Sequence, residues 1–377
     1  MSRASDPGEM PDTLDVLLVG VGSTPGLRRA DEALARALRR AGASVAIVQA
    51  ARPREVRTLM LTDLHWAWAA RRAAREALGR GDGLAPRAVI YSSTTAALFW
   101  PRVGAIRFDA PAAANRPGRH GLWQRPLERR RLRQAPLLLP WSEGGLAEAC
   151  AAVPGSADRA LILPAPIELD DDAGADRTTR VGEAGAAAGG GGPVAAPERD
   201  VAALTYAGNP CKKGFDRVLA AWRRACRPPE ELLVVGIGRE GLRRAGFELP
   251  GHGVRALGSL SGEELRELLH RTRVLLCAPR REDYGLIQLE ALAAGCQVVT
   301  TPAPGAYAAL AIAHQLDPRL VSEDLATALR DALDAPLAGY SARAARLIEP
   351  FGVAAVDRLV AENLLPRLLQ SETISAN

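Results

Sequence analysis

Lysine is almost missing from this chain. Of its 48 basic residues only two, Lys212 and Lys213, are lysine, and they are adjacent. The rest are arginine, beside abundant alanine and glycine, a bias expected of a GC-rich genome. That bias explains why lysine is rare but not where the two survivors stand. Aromatic residues are also scarce, at 4% of 377 residues, so the cores must be built from Ala, Leu and Val. Cysteine is limited to Cys150, Cys211, Cys226, Cys277 and Cys296, with no CxxC pair. Such scattered thiols argue against a metal cluster or a disulfide framework and lead us to expect a reduced, cytoplasmic setting. No window approaches the roughly 18 uncharged apolar residues of a transmembrane helix. The opening residues MSRASDPGEMPDT are polar, and LDVLLVGVG after them is too short and too glycine-ended for a signal peptide core.

Charge of either sign is not in large excess. The net charge is +5, with 43 acids nearly balancing the bases. This composition does not suit a nucleic-acid binder, and no nucleic-acid partner is expected. It suits a protein that handles anionic small molecules or touches an anionic surface.

What is present is alternation. Short apolar runs read as buried strands at 15–20, 44–49, 87–92, 104–108, 135–140 and 160–163, with helices over about 27–41 and 55–78 between the first of them. After residues 170–200, which carry no aromatic and almost no large apolar side chain, the alternation restarts. Strands are expected at 203–208, 231–238, 253–258, 273–279 and 296–301, and helices at 214–225, 261–271, 286–294, 322–334 and 339–348. One long amphipathic helix is expected over 351–369. Strands alternating with helices imply parallel sheets covered on both faces. The expected organisation is an N-terminal domain over 1–168, a flexible linker over 169–200, a second domain over 201–349 and a C-terminal helix over 350–377.

The strongest chemical signal follows the strand RVLLCAP. The text RREDYGLIQLE places Glu282 on a loop, Gly285 at the mouth of a helix and Glu290 inside it. A helix start offers unpaired N–H groups and a positive dipole end, a setting suited to phosphate. Two carboxylates beside such a site make sense as acceptors for sugar hydroxyls. A second signal is LTYAGNPCKKGFD: a strand, a tight loop and a helix start, with both lysines in the loop. An ammonium is a compact point charge suited to phosphate.

Together these segments resemble the retaining, nucleotide-sugar-dependent glycosyltransferases of the group 1, family 4 type. The fold this implies is GT-B: an α/β chain of two Rossmann-like parallel-sheet domains facing a central cleft. Glu282 and Glu290 have the family's spacing, with the aromatic-glycine pair Tyr284-Gly285 between them. The resemblance implies that Glu282 binds donor-sugar hydroxyls and that Glu290 binds the nucleotide ribose. Amides at Gly285, Leu286 and Ile287 would face the diphosphate. Lys213-Gly214 falls on the family's Lys-Gly position, so Lys213 is the expected diphosphate clamp. The family's partner arginine is replaced here by Asn209, and Lys212 is the candidate substitute.

The first strand ends in GVGSTPG, whose Gly22 and Ser23 would touch donor phosphate or acceptor. The N-terminal domain of the family carries a cleft histidine where this chain has Asp109 after Phe108, so Asp109, or His120 folding back, is the candidate group for a hydroxyl. The expected donor is a nucleotide-diphosphate sugar, the acceptor a glycan, a lipid-linked sugar or a small molecule, and no cofactor or metal is expected. Residues 116–134 carry seven arginines against one acid, Glu128, and could rest on the inner face of a membrane or hold an anionic acceptor. Rival readings are a degenerate GT-B binder, a nucleotide-sugar epimerase, or an NAD-dependent oxidoreductase using the first glycine turn.

Overall fold

The computed structural model describes residues 14–52, 59–79, 85–116, 118–169, 199–250, 252–305 and 307–370. The linker expected over 169–200 falls almost wholly outside them, as do residues 55–58 of the second expected helix. The chain divides into two compact units. One takes the residues up to Ala165 and those from Val356; the other is Pro166–Ala355.

The first unit holds a five-stranded parallel sheet in the order β2-β1-β3-β4-β5. Its strands are β1 (Val16–Gly20), β2 (Val45–Gln49), β3 (Ala88–Tyr91), β4 (Ala105–Phe108) and β5 (Leu138–Pro140). Every residue of β1 is buried, because β2 and β3 flank it and helices cover both faces. Helix α1 (Pro25–Arg40) starts where Thr24 accepts the Leu27 N–H at 3.2 Å and Pro25 needs no partner. Helix α2 (Leu59–Gly79) follows β2, and α3 (Gln124–Gln134) precedes β5.

The stretch 160–163 does not form the expected strand. Ala160 alone bridges Leu138, although Leu161 and Leu163 donate to the Leu138 and Pro140 carbonyls. Pro164 and Pro166 lack the N–H groups a strand would need next.

The C-terminal run is not one helix either. It is α-helical over Val353–Leu359, widens into a π turn at Val360–Leu364 and resumes over Leu365–Gln370. Val356, Val360, Leu364 and Leu368 are buried against Val16, Leu18, Leu34 and Leu38 of the first unit. A strict spacing of four runs ahead of a 3.6-residue turn by about 40° per step. The wider turn takes up that drift and keeps the four side chains on one line. Asp357 accepts from Arg40 of α1 at 2.6 and 2.7 Å on the same face.

The second unit holds another five-stranded parallel sheet, in the order β10-β9-β6-β7-β8. Its strands are β6 (Val201–Tyr206), β7 (Leu232–Val235), β8 (Val254–Gly258), β9 (Thr272–Leu276) and β10 (Gln297–Val299). The sheet reverses direction of travel between β6 and β9, which pair through Ala203 with Val274 and Leu204 with Leu275. Loops leaving the carboxyl ends of two such strands diverge to opposite faces and leave a crevice between them. Helix α4 (Phe215–Ala225) follows β6 and buries Phe215, Val218, Leu219 and Trp222. Helix α5 (Leu286–Ala293) follows β9. A further helix, Ala308–Leu316, was not expected; its sequence AALAIAHQL is apolar on most sides and has no capping side chain. Among the described residues no helix is long and apolar enough to cross a membrane.

Candidate active site

The loop after β6 is built by Asn209. Its carboxamide oxygen accepts the Lys212 N–H at 3.0 Å and its carbonyl accepts the Lys213 N–H at 2.9 Å. This is an Asn-type turn, and it explains asparagine at this position without a ligand. Gly214 then takes a left-handed conformation, φ 61°, and caps α4. A Cβ on Gly214 would collide with the Ala278 carbonyl oxygen beyond β9, so the two loops touch here. Arg280 ties them further. Its backbone N–H donates to the Lys212 carbonyl at 3.0 Å, and its guanidinium donates to the Cys211 carbonyl and to Asp216.

This closeness delivers each lysine to an acid. Lys213 Nζ donates to Glu282 Oε2 in a short contact, and Lys212 Nζ lies 3.3 Å from Asp283 Oδ2. Glu282 and Asp283 are both 6% exposed. Asp283 also accepts from Arg281 Nε at 2.6 Å. The Lys213 ammonium sits 5.9 Å from the Tyr206 ring centre as well. An ammonium has three donors and a carboxylate about four acceptor positions. The pairing of Lys213 with Glu282 therefore leaves both groups capacity for a phosphate and a hydroxyl.

A third loop backs the acids. Glu282 N–H donates to the Pro304 carbonyl at 3.1 Å, and a Cβ on Gly305 would collide with the Glu282 carbonyl. Gly285 is left-handed, φ 82°, and is the cap of α5. A Cβ there would stand 2.9 Å from Tyr307 Cδ2, so the close neighbour that demands this glycine is Tyr307. Leu286 and Ile287 open α5, and Glu290 lies in its second turn, half-buried. Beneath the site Cys277 is buried, and that burial pushes its thiol up to about 12, so it stays neutral. Burial likewise raises the Tyr307 phenol well above its usual range, with its oxygen 3.5 Å from Thr300 Oγ1.

The structure thus brings Asn209, Lys212, Lys213, Glu282, Gly285, Leu286, Ile287 and Glu290 to one edge of one unit. Asp283 and Gln288 were missed by sequence reasoning. Asp283 is the buried partner of Lys212. Gln288 is 1% exposed on α5, and its Oε1 has no hydrogen-bond partner among the described residues. The signal for Gln288 was available: an amide on the inward side of an otherwise apolar helix.

Gly22, Ser23 and Asp109 belong to the first unit. Asp109 follows β4 and accepts the Ala110 N–H at 2.7 Å. His120 lies in a short 3₁₀ turn, Gly118–Gly121. Gly22 is left-handed, φ 57°, with its carbonyl accepting from Arg28, while Ser23 is exposed. A Cβ on Gly20 or Gly22 would come within 2.7 or 2.5 Å of Gln49 Oε1. Gln49 in turn donates to Asp31 at 3.2 Å. The side-chain ends of Gln49 and Asp31 thus stand against the glycines of this turn, while Ser23 stays exposed.

Residues 201–338 match the model of the family described as glycosyl transferases group 1. No curated protein matches the sequence. Solved structures match nearly the whole chain at low identity. WaaG, a glycosyltransferase involved in lipopolysaccharide biosynthesis, is 16% identical, with 96% of this chain and 99% of that one covered and a TM-score of 0.57. Anabaena Alr3699/HepE, solved with UDP-glucose, is 13% identical over 93% and 99%, TM-score 0.58. The α,α-trehalose 6-phosphate synthase of Burkholderia multivorans is 13% identical over 97% and 100%, TM-score 0.59. The chain has the two-sheet fold of these GT-B structures, and the family match falls within the second unit.

Proposed function

We propose that this chain transfers a sugar from a nucleotide-diphosphate sugar to a hydroxyl acceptor with retention of configuration. The observation that carries the reading is the meeting of Lys213 and Glu282 between β6 and β9, beside the glycine-capped start of α5. In this reading the Lys213 ammonium and the Leu286 and Ile287 amides carry the charge of the departing diphosphate, as preorganised donors do best away from bulk water. Glu282 accepts donor-sugar hydroxyls and Glu290 the ribose hydroxyls. A donor phosphate oxygen takes the acceptor proton, so no carboxylate acts as covalent nucleophile. The first unit supplies the acceptor site, with Asp109 at the carboxyl end of its sheet and Gly22 and Ser23 on the glycine turn. These residue roles follow the family resemblance; the positions of Lys213, Glu282 and the helix start are what support them.

The experiment is calorimetric titration and turnover with UDP-, GDP- and ADP-sugars and the matching free nucleotides. One series should bind and turn over. Glu290→Ala should weaken the free nucleotide and the intact donor alike, while Glu282→Ala should weaken chiefly the intact donor. Equal losses on both ligands for Glu282→Ala would defeat the assignment of the two glutamates. Binding of none of the sugars would defeat the reading itself.

A further inference from the structure

The loop after β4 reads DAPAA over residues 109–113, and its one polar side chain is Asp109. Ala110, Pro111 and Ala112 are buried, and Asp109 is half-buried. Asp109 accepts the Ala110 N–H, so the buried amides beyond Pro111 need acceptors from elsewhere. On one side the loop rests on the helix Glu143–Ala152, where a Cβ on Gly145 would stand 2.5 Å from the Asp109 carbonyl oxygen. On the other side the acceptor is Glu128 of α3. Both its carboxyl oxygens lie 2.9 Å from the Ala112 nitrogen, and it also accepts from the Ala113 N–H and the Thr94 hydroxyl. Thr94 opens a short helix after β3. One side chain, 1% exposed, therefore joins the loops after β3 and β4 to the helix before β5.

All three partners are donors. An ionised carboxylate only accepts and suits them all, whereas a neutral carboxyl has a proton to place, and of the three only the Thr94 oxygen can take it. Bonds to the ionised form are also roughly twice as strong. Among the described residues Glu128 nevertheless forms no ion pair. The charge that acts on it is Arg116, whose guanidinium is occupied by Asp63 of α2 at 2.7 and 3.2 Å. On α3 itself Arg125 donates to the Gly118 and Gly121 carbonyls, Arg131 donates to the Leu98 carbonyl, and Arg129 and Arg130 are exposed. The acid of the loop is Asp109. Burial therefore prevails over the three bonds and raises the Glu128 carboxyl to about 7.

We propose that Glu128 is a positioning residue: its carboxylate fixes the loop that carries Asp109, and uptake of one proton by that carboxylate loosens the loop. The effect on an acceptor rests on the reading of Asp109 given under the proposed function; the effect on the loop does not.

The test is amide hydrogen exchange of the full chain, read by mass spectrometry and corrected for intrinsic rates, from about pH 6 to about pH 8. Measured against peptides of β1, peptides covering residues 109–115 should gain about fivefold in protection across this range, as neutral bonds become charge-assisted. Glu128→Gln offers one acceptor and one donor group, as the neutral carboxyl does, and should hold the loop at its low-pH level throughout. Thr94→Val removes one donor to the carboxylate and should move the step to higher pH, which keeps the test open if the Gln variant folds poorly. Transfer to glycerol, used as the hydroxyl probe, from whichever nucleotide sugar turns over should follow the same step, in the KM for glycerol rather than the KM for the donor. Protection that ignores pH, or that steps equally in the Gln variant, would overturn the proposal. So would transfer that shows no step where exchange does. Exchange is measured without any sugar, so a chain that shows the step and binds no nucleotide sugar keeps the tie and loses only the transferase reading.

Discussion

The two sheets present their carboxyl edges in opposite ways. At the edge of the second sheet, charges from different loops meet beneath partly open ground: Lys213 is 21% exposed on its side chain and Lys212 49%. At the edge of the first, the charges are sealed. Arg107 on β4 and Asp31 on α1 are 0% and 1% exposed, 3.6 Å apart, with Trp141 lying 4.6 Å from the guanidinium carbon. Gln49 also donates to Asp31 at 3.2 Å, whose carboxyl is nonetheless raised from its usual value, chiefly by burial. The strand orders underlie part of this contrast. The second sheet reverses between β6 and β9, so a lysine loop and an acid loop flank its crevice. The first reverses between β1 and β3, where Gln49 and Asp31 side chains stand against the glycine turn. The Arg107–Asp31 pair is spent on internal cohesion; the lysine–acid pairs of the other edge keep capacity for a ligand.

The largest effect should come from breaking the sealed pair. Arg107→Met leaves Asp31 buried without its cation and should cost about 3–5 kcal/mol in urea unfolding. Adding Asp31→Leu should recover most of that loss, because an apolar pair of similar volume needs no charge compensation. If the double variant is as unstable as the single one, the damage comes from packing and the contrast between the edges is weaker.

Next comes a titration within the first unit. Burial raises the Glu128 carboxyl from 4.5 to about 7, against the pull of its bonds to Ala112 and Thr94 and of the Arg116 charge. The folded value lies above the unfolded one, so the folded state binds more protons between them. The stability associated with this group is full below pH 4.5 and is lost as pH rises through about 7. The loss amounts to roughly 3 kcal/mol at one decade per 1.36 kcal/mol. Glu128→Gln should flatten this fall in melting experiments between those pH values. An unchanged slope would assign the pH dependence elsewhere.

At the open edge, Lys213→Ala should lower turnover on the order of 10²-fold, the cost of losing one electrostatic stabiliser. Stability should fall too, since Glu282 is 6% exposed and loses the ammonium it accepts from. A variant with near-normal turnover would remove Lys213 from the chemistry and make the two edges alike in being structural.

How much of this was legible in the sequence depends on whether local pattern or tertiary placement decided it. The alternation of apolar runs and amphipathic stretches marks all ten strands of the described residues, because a strand of a covered parallel sheet is mostly apolar. The lysine loop and the paired glutamates were visible as well, since Gly214 and Gly285 announce turns and helix starts. Strand order was not legible, as no residue in β4 or β9 states its neighbour. Arg107 in AIRF gave no sign of being sealed, because only the packing of Asp31 and Trp141 makes a mid-strand arginine internal. Glu128 reads as one charge among seven arginines until α3 turns it inward. The π turn at Val360–Leu364 is implied by four-residue spacing, yet that spacing also fits an ordinary helix within one or two turns.

Lys212 should give the smallest effect, and it tests what Asn209 replaced. Asp283 keeps Arg281 at 2.6 Å when Lys212 is lost, so Lys212→Ala leaves no buried charge uncompensated. Its side chain is 49% exposed, and a screened pair of this kind is worth under about 1 kcal/mol. Turnover is the informative readout. If Lys212 supplies the second positive charge in place of the family's arginine, turnover should fall about tenfold while the melting temperature barely moves, a loss of roughly 1.4 kcal/mol in the barrier. If turnover is unchanged, Lys212 only steadies the loop. Asn209→Arg then becomes the sharper probe: it removes the carboxamide that accepts the Lys212 N–H at 3.0 Å, so it should loosen the turn rather than restore an arginine clamp. A gain in turnover from that variant would show that the loop tolerates the family's arrangement and that Asn209 is there for something other than the turn.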